Sequence, residues 1–191
     1  MLLYRINFFK IYPMKTKVSL ILAAVLLFAG CNLLKDAAEV TISTELTADI
    51  PVVVAGKKSV EVTAGLSALD FSKTQDLSLS SNADIEPYLD KIREIDLKSL
   101  VITVNGLGAS QTINSVSLDV AGVGNIFTQT NITATNNSFT PVIAAGKLDQ
   151  VAAKLLSDLK ITLTVSGNAS GPMTFTVSLN FEADIIAGAL D

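Results

Sequence analysis

The sequence predicts a mainly β fold: an antiparallel β-sandwich, immunoglobulin-like (Ig-like) or jelly-roll-like, with two short amphipathic helices. Three observations lead there. Apolar and polar residues alternate along five separate segments, which puts one apolar and one polar face on each strand. Two other segments change to a spacing of three and four, the period of a helix. The 161 residues from Cys31 to Asp191 suit one domain with an adequate core.

The first alternating segment runs from Val40 to Ile50. Val40, Ile42, Thr44, Leu46, Ala48 and Ile50 fall on one face, and Thr41, Ser43, Glu45, Thr47 and Asp49 on the other. Pro51 has no N–H to give a ladder, so the strand ends, bulges or lies on a sheet edge there. After Gly56-Lys57-Lys58 a second strand is expected with Val60 and Val62 inward, and Leu77 with Leu79 marks a short third. The later runs set Leu100, Ile102 and Val104 inward, then Val116, Leu118 and Val120, then Ile161, Leu163 and Val165, then Phe175, Val177, Leu179 and Phe181. Ile126 to Ala134 reads as another strand, with faces that the pattern does not assign. Sheets with one apolar face each hide it by packing on one another.

The first predicted helix contains Ile85, Tyr88, Leu89, Ile92 and Ile95, with Asp84 as its cap and Pro87 in its first turn. The second contains Leu148, Val151, Ala152, Leu155, Leu156 and Leu159. An offset of 61 residues lays Val101–Gly106 on Thr162–Gly167 and Val116–Val120 on Val177–Phe181. Each of these units follows a predicted helix, so either a helix–strand–turn–strand unit is used twice or two amphipathic hairpins merely look alike.

Composition excludes several chemistries. From Cys31 onward, 10 basic residues stand against 18 acidic ones, a net charge of −8, which argues against nucleic acid and against docking on anionic lipid. The chain has no His, so Ser-His-Asp and Cys-His mechanisms are excluded. Its one Cys leaves no Cys or His zinc site. Gly106-Leu107-Gly108 and Gly122-Val123-Gly124 lead into strands rather than helices, so they read as turns and not as phosphate loops. No cofactor or metal is expected, and the chain is expected not to be an enzyme.

The amino-terminal segment reads as an address. Val18 to Gly30 is 13 residues without a charge, too short for a transmembrane helix of about 20 residues. It has the length of a signal-peptide core, with Lys15 and Lys17 on its positive flank. Leu27-Phe28-Ala29-Gly30-Cys31 resembles the lipobox of bacterial lipoproteins. The resemblance implies cleavage between Gly30 and Cys31, a diacylglyceryl group on the Cys31 thiol and acylation of the new amino terminus. Residues 1–30 are then a signal peptide, 31–39 a lipidated tether and 40–191 a single sandwich domain. Met14-Lys15-Thr16-Lys17 is itself a complete start, so either Met14 is the initiator and 1–13 are untranslated, or the positive region is unusually long. Lys35-Asp36 faintly resembles the surface-export tags of Bacteroidota lipoproteins. Asn32 does not resemble the aspartate that retains lipoproteins at the inner membrane, so the expected location is the outer membrane, with the side left open.

Two clusters are weighed as sites. Asp90, Glu94 and Asp96, beside Lys91, Arg93 and Lys98, would either hold a cation or form ion pairs on a solvated helix face; the second reading is preferred. Asn131 to Asn137 is a binding loop or a polar turn, with the turn preferred. Aromatic platforms for a glycan are scarce: Tyr88 is the one Tyr after Cys31, and Phe71, Phe127 and Phe139 are not firmly assigned to the core. The expected role is a lipid-anchored cell-envelope module, non-enzymatic, binding an envelope protein partner or acting as a structural or accessory part. The alternatives are a small-ligand or glycan binder using loops at one end of the sandwich, and a carboxylate-based hydrolase.

Overall fold

The structure, a computed structural model, describes residues 38–56 and 68–189. Within them eight strands form two antiparallel four-stranded sheets. β1 is Glu39–Val54, β2 Leu69–Ser78, β3 Ile92–Asn105 and β4 Thr112–Val120. β5 is Gly124–Thr133, β6 Ser138–Phe139, β7 Lys160–Ala169 and β8 Met173–Gly188. One sheet has the order β1-β8-β3-β6 and the other β2-β7-β4-β5. Partners are nested: β1 pairs β8, β2 pairs β7, β3 pairs β6 and β4 pairs β5, as in one long hairpin wrapped into two layers. That order makes the sandwich a jelly roll rather than an immunoglobulin-like one.

Alternation drives the packing. Leu46, Ile50 and Val52 of β1, Leu100, Ile102 and Val104 of β3, and Phe175, Val177, Leu179 and Phe181 of β8 are buried from one sheet. Val116, Leu118 and Val120 of β4 with Ile161, Leu163 and Val165 of β7 are buried from the other. Each fully buried side chain of this size contributes roughly 1.5–3 kcal/mol of transfer free energy. Phe71 meets Phe175 edge-on with ring centres 5.3 Å apart, joining the layers, so Phe71 and Phe127 belong to the core and Phe139 packs on its margin. Pro51 sits within β1, which is tolerated because β1 is paired on one edge only. The expected strand at Val60 and Val62 lies outside the described residues.

Of the two expected helices, one forms. α1, Lys147–Asp158, buries Val151, Ala152 and Leu155 and packs on β3 of one sheet and β7 of the other, closing one end of the sandwich. Leu159 ends it in the left-handed conformation, φ 55°, its N–H donating to the Leu155 carbonyl.

The first expected helix is corrected. A single 3-10 turn spans Glu86–Tyr88, and β3 begins at Ile92. Asp84 is not its cap; Ile85 precedes the turn, and the Asn82 side chain accepts from the Asp84 N–H at 2.9 Å. Pro87 does occupy the first turn. The misreading has a physical cause. Register shifts between Ile92 and Glu94 and between Leu97 and Ser99 each interrupt the period of two, leaving apolar residues three apart that imitate a helix. The same device explains β5. Leu118 opposes Phe127 and Asp119 opposes Asn125, so Ile126 is extra and both Ile126 and Phe127 turn inward.

The expected repeat fails as stated. Its first helix is absent, and β3 and β4 lie in different sheets rather than forming a hairpin, as do β7 and β8. The offset of 61 does exchange the central pair β3·β8 with β7·β4. The exchange would set Leu163 opposite Leu118, yet Leu163 lies opposite Val120, two residues along. The aligned glycines also differ in role. Gly106 turns the chain at φ 93°, whereas Gly167 lies within β7.

A Cβ on Gly167 would stand 2.0 Å from the Ser115 carbonyl oxygen and 2.9 Å from Phe71 Cζ. The contact arises where β4 shifts register between Ile113 and Ser115. Gly167→Ala is therefore expected to destabilise the domain by at least about 2 kcal/mol. Gly171→Ala, where a Cβ meets nothing within 4 Å, is expected to change stability by less than about 0.5 kcal/mol. Urea midpoints of the two variants check this. Equal midpoints would contradict the close approach of β4 to β7.

Candidate functional site

The outer face of the β1-β8-β3 sheet carries the polar half of each alternation. Its centre is an open concavity of about 560 Å³, lined by Ser43 and Glu45 of β1, Asn180, Glu182 and Asp184 of β8, and Lys98 and Ser99 of β3. The pairing places like charges opposite one another: Glu45 faces Glu182 on one side of β8, and Asp96 faces Asp184 on the other. Directly opposed like charges are unfavourable. Neighbouring donors offset them. Ser43 Oγ donates to Asp184 at 2.6 Å, Ser99 Oγ to Glu182 at 3.1 Å and Asn180 Nδ2 to Glu45 at 2.8 Å. Lys98 bonds Asp96 and lies 3.5 Å from Asp184, bridging the second pair.

Electrostatics follow from these contacts. The Ser43 hydroxyl, and beyond it the Lys98 ammonium, hold the Asp184 carboxyl below the usual carboxylate range. Its hydrogen bond to Asp96 raises the Lys98 ammonium, with Asp184 adding to the effect. A general acid must keep its proton near neutral pH, and Asp184 is driven the other way. Asn180 Oδ1 is enclosed and takes no hydrogen bond, while its amide nitrogen is fixed by the acceptor-only carboxylate of Glu45. Among the described residues no three Asp, Glu, His or Cys side chains gather as metal ligands.

The charged cluster read from sequence is dispersed. Asp90 lies in the turn before β3, and Glu94 and Asp96 lie on the strand, not on a helix. Arg93 pairs with Glu39 at 2.9 Å, Lys98 pairs with Asp96, and Lys91 Nζ donates to the Ala189 carbonyl at 3.0 Å. Only Asp96 and Lys98 reach the concavity's charge network. Ser43, Glu45, Glu182 and Asp184 had no sequence signal, because the partners Ser43 and Asp184 are 141 residues apart. The Asn-rich stretch is the last residues of β5 and the turn after it, and its Asn136 side chain is satisfied within it. Asn131 adopts φ 57°, Asn136 Oδ1 accepts from the Thr133 N–H at 2.6 Å, and Asn136 Nδ2 donates to the Asn131 carbonyl at 2.9 Å. Asn137 ties the turn to β3 by accepting from the Val104 N–H at 2.7 Å and donating from Nδ2 to its carbonyl at 3.0 Å. Tyr88 is half-buried, and none of the described aromatic rings forms an exposed platform. Gly30 and Cys31, the expected cleavage and lipidation residues, lie outside the described residues.

No family model matches the chain, and no curated protein matches it. Among solved structures, a chain of Desmodium yellow mottle tymovirus overlays with a TM-score of 0.32 at 14% identity, over 78% of this chain and 91% of that one. That likeness is too loose to carry fold or function.

Asp184, Asp76 and Asp158 all have lowered pKa values, held by Ser43, by Thr162 with Lys160, and by Lys154 with Ser157 respectively. A carboxyl lower in the folded than in the unfolded state adds stability above its unfolded pKa, and that stability is lost as pH falls through the folded value. Urea midpoints are therefore expected to hold at neutral pH and to fall from about pH 4 downward. Asp184→Asn is expected to flatten part of that acid limb. A midpoint that rises on acidification would contradict the contacts described.

Proposed function

We propose that this chain is a lipid-anchored cell-envelope protein, held on a membrane through Cys31, that acts by binding rather than by catalysis. The observation that supports the anchor most is Leu27-Phe28-Ala29-Gly30-Cys31 closing a 13-residue uncharged run behind Lys15 and Lys17. Two or three acyl chains at about 0.8 kcal/mol per buried methylene suffice for stable attachment. The binding reading is supported by the packed interior: among the described residues no polar or charged side chain is buried in the core, so any chemistry is left to the surface. Asp184, ionised and bridged, is suited to contact rather than to proton transfer.

The tether sets a maximum reach. The seven residues Asn32–Ala38 reach at most about 25 Å. A lipid on Cys31 would bound how far the start of β1 can stand from the bilayer. An outer-membrane location and an envelope partner complete the proposal.

Metabolic labelling with an alkyne palmitate in the source bacterium, with intact mass of the purified chain, tests the anchor. The expected product starts at Cys31 and carries the label, and Cys31→Ala accumulates unlabelled with its leader attached. A native chain with an unmodified thiol, or label retained by the alanine variant, would overturn the proposal.

A further inference from the structure

Asn105 is the only one of the chain's 11 Asn residues that precedes a Gly. It closes β3 on the outward face, opposite Thr176 of β8, and both Asn105 and Gly106 are exposed. Gly106 leaves the ladder at once, at φ 93°, and its N–H donates no hydrogen bond among the described residues. Asn105 Nδ2 donates to Ser178 Oγ at 3.3 Å, a long and exposed contact. Ser178 Oγ in turn donates to Asp49 at 2.6 Å, so one hydrogen-bonded row runs from β3 across β8 to β1. Asn114 and Asn137 precede Ser, the next least bulky follower, but they are held differently. Asn114 lies inside β4, and Asn137 Nδ2 is fixed on the Val104 carbonyl at 3.0 Å.

A carboxamide here stands next to a main-chain nitrogen that no hydrogen bond occupies and no side chain shields. Gly, without a Cβ, obstructs that nitrogen least and lets the backbone turn most freely. The pair Asn105–Thr176 is the last of its ladder, and ladder ends open locally far more readily than sheet interiors. We infer that Asn105-Gly106 is a modification site, which deamidates through a cyclic imide and so breaks the row between β3 and β1. Hydroxide removes the Gly106 amide proton, and the nitrogen attacks Asn105 Cγ. The N–Cγ bond forms and the Cγ–Nδ2 bond breaks. Nδ2 leaves as ammonia with a proton from water, which regenerates hydroxide. Water then opens the ring at either carbonyl. One product keeps the main chain and carries a side-chain carboxylate; the other runs the chain through Cγ as an isoaspartyl link. In both, the donor amide is lost and an acceptor-only carboxylate is gained. Ser178 has one hydroxyl proton and already gives it to Asp49, so it has none for the new group. Two carboxylates then flank one hydroxyl. The inference goes beyond the envelope reading above and does not depend on the lipid.

The purified intact protein, aged in warm, mildly alkaline buffer, tests this by peptide mapping with mass spectrometry. The peptide holding Asn105 is expected to gain the mass of an NH2-to-OH exchange first, at least about tenfold faster than any other Asn peptide. It is expected to appear as separable aspartyl and isoaspartyl forms, at a rate that rises with pH as hydroxide does. Asn105→Gln, which would have to close a larger ring, is expected to stay unmodified. The deamidated fraction, isolated by its extra negative charge on an anion exchanger, is expected to unfold at a lower urea midpoint than fresh protein. Asn105→Asp is expected to reproduce that loss and Asn105→Ala to show a smaller one, the two converging as salt is added. An Asn105 peptide that stays intact, faster conversion at another Asn, or a rate flat in pH would overturn the inference. So would an aged fraction as stable as fresh protein, or Asn105→Asp no less stable than Asn105→Ala.

Discussion

β8 is hydrogen-bonded along both edges, to β1 through all 16 of its residues and to β3 through most of them. Its two faces then have different tasks. Phe175, Val177, Leu179, Phe181, Ala183 and Ile185 are buried between the sheets. Ser178, Asn180, Glu182 and Asp184 point outward, and the last three line the concavity. A shift of one residue would exchange these sets and put carboxylates in the core. The register of this strand therefore fixes both the interior and the charge network on the outer sheet. Gly167 does a related service in the other sheet, where β4 comes too close to β7 for any side chain.

Strands were legible where alternation ran unbroken. β1, β7 and β8 show it over Val40–Ile50, Ile161–Val165 and Phe175–Phe181, and the inward residues there are those the period of two assigns. α1 was legible because its three-and-four spacing extends over several turns. Bulges hid the rest. Extra residues in β3 turned a strand into an apparent helix around Ile92 and Ile95, and Ile126 blurred the faces of β5. The candidate site was less legible than the fold. Its carboxylates come from β1 and β8, at opposite ends of the sequence, and only the pairing brings Glu45 opposite Glu182. Asp96 was flagged, but on the wrong kind of element.

Among the described residues the interior buries no polar or charged side chain, so the outward faces carry the charged groups. The outer sheet carries hydrogen-bonded carboxyl groups near the start of β1 and the end of β8. At the far end the described turns 106–111, 134–137 and 170–172 carry no charged residue. Strand order sets the two ends of the sandwich apart: the turns between β3 and β4, β5 and β6, and β7 and β8 all lie opposite the start of β1.

Native-state hydrogen exchange tests the central role of β8 most directly. If a doubly paired strand organises the domain, amides of Val177 to Phe181 exchange only through global unfolding and are the slowest in the protein, ahead of those in α1 and β2. Exchange of these β8 amides as fast as those of the turn at 134–137 would contradict the account.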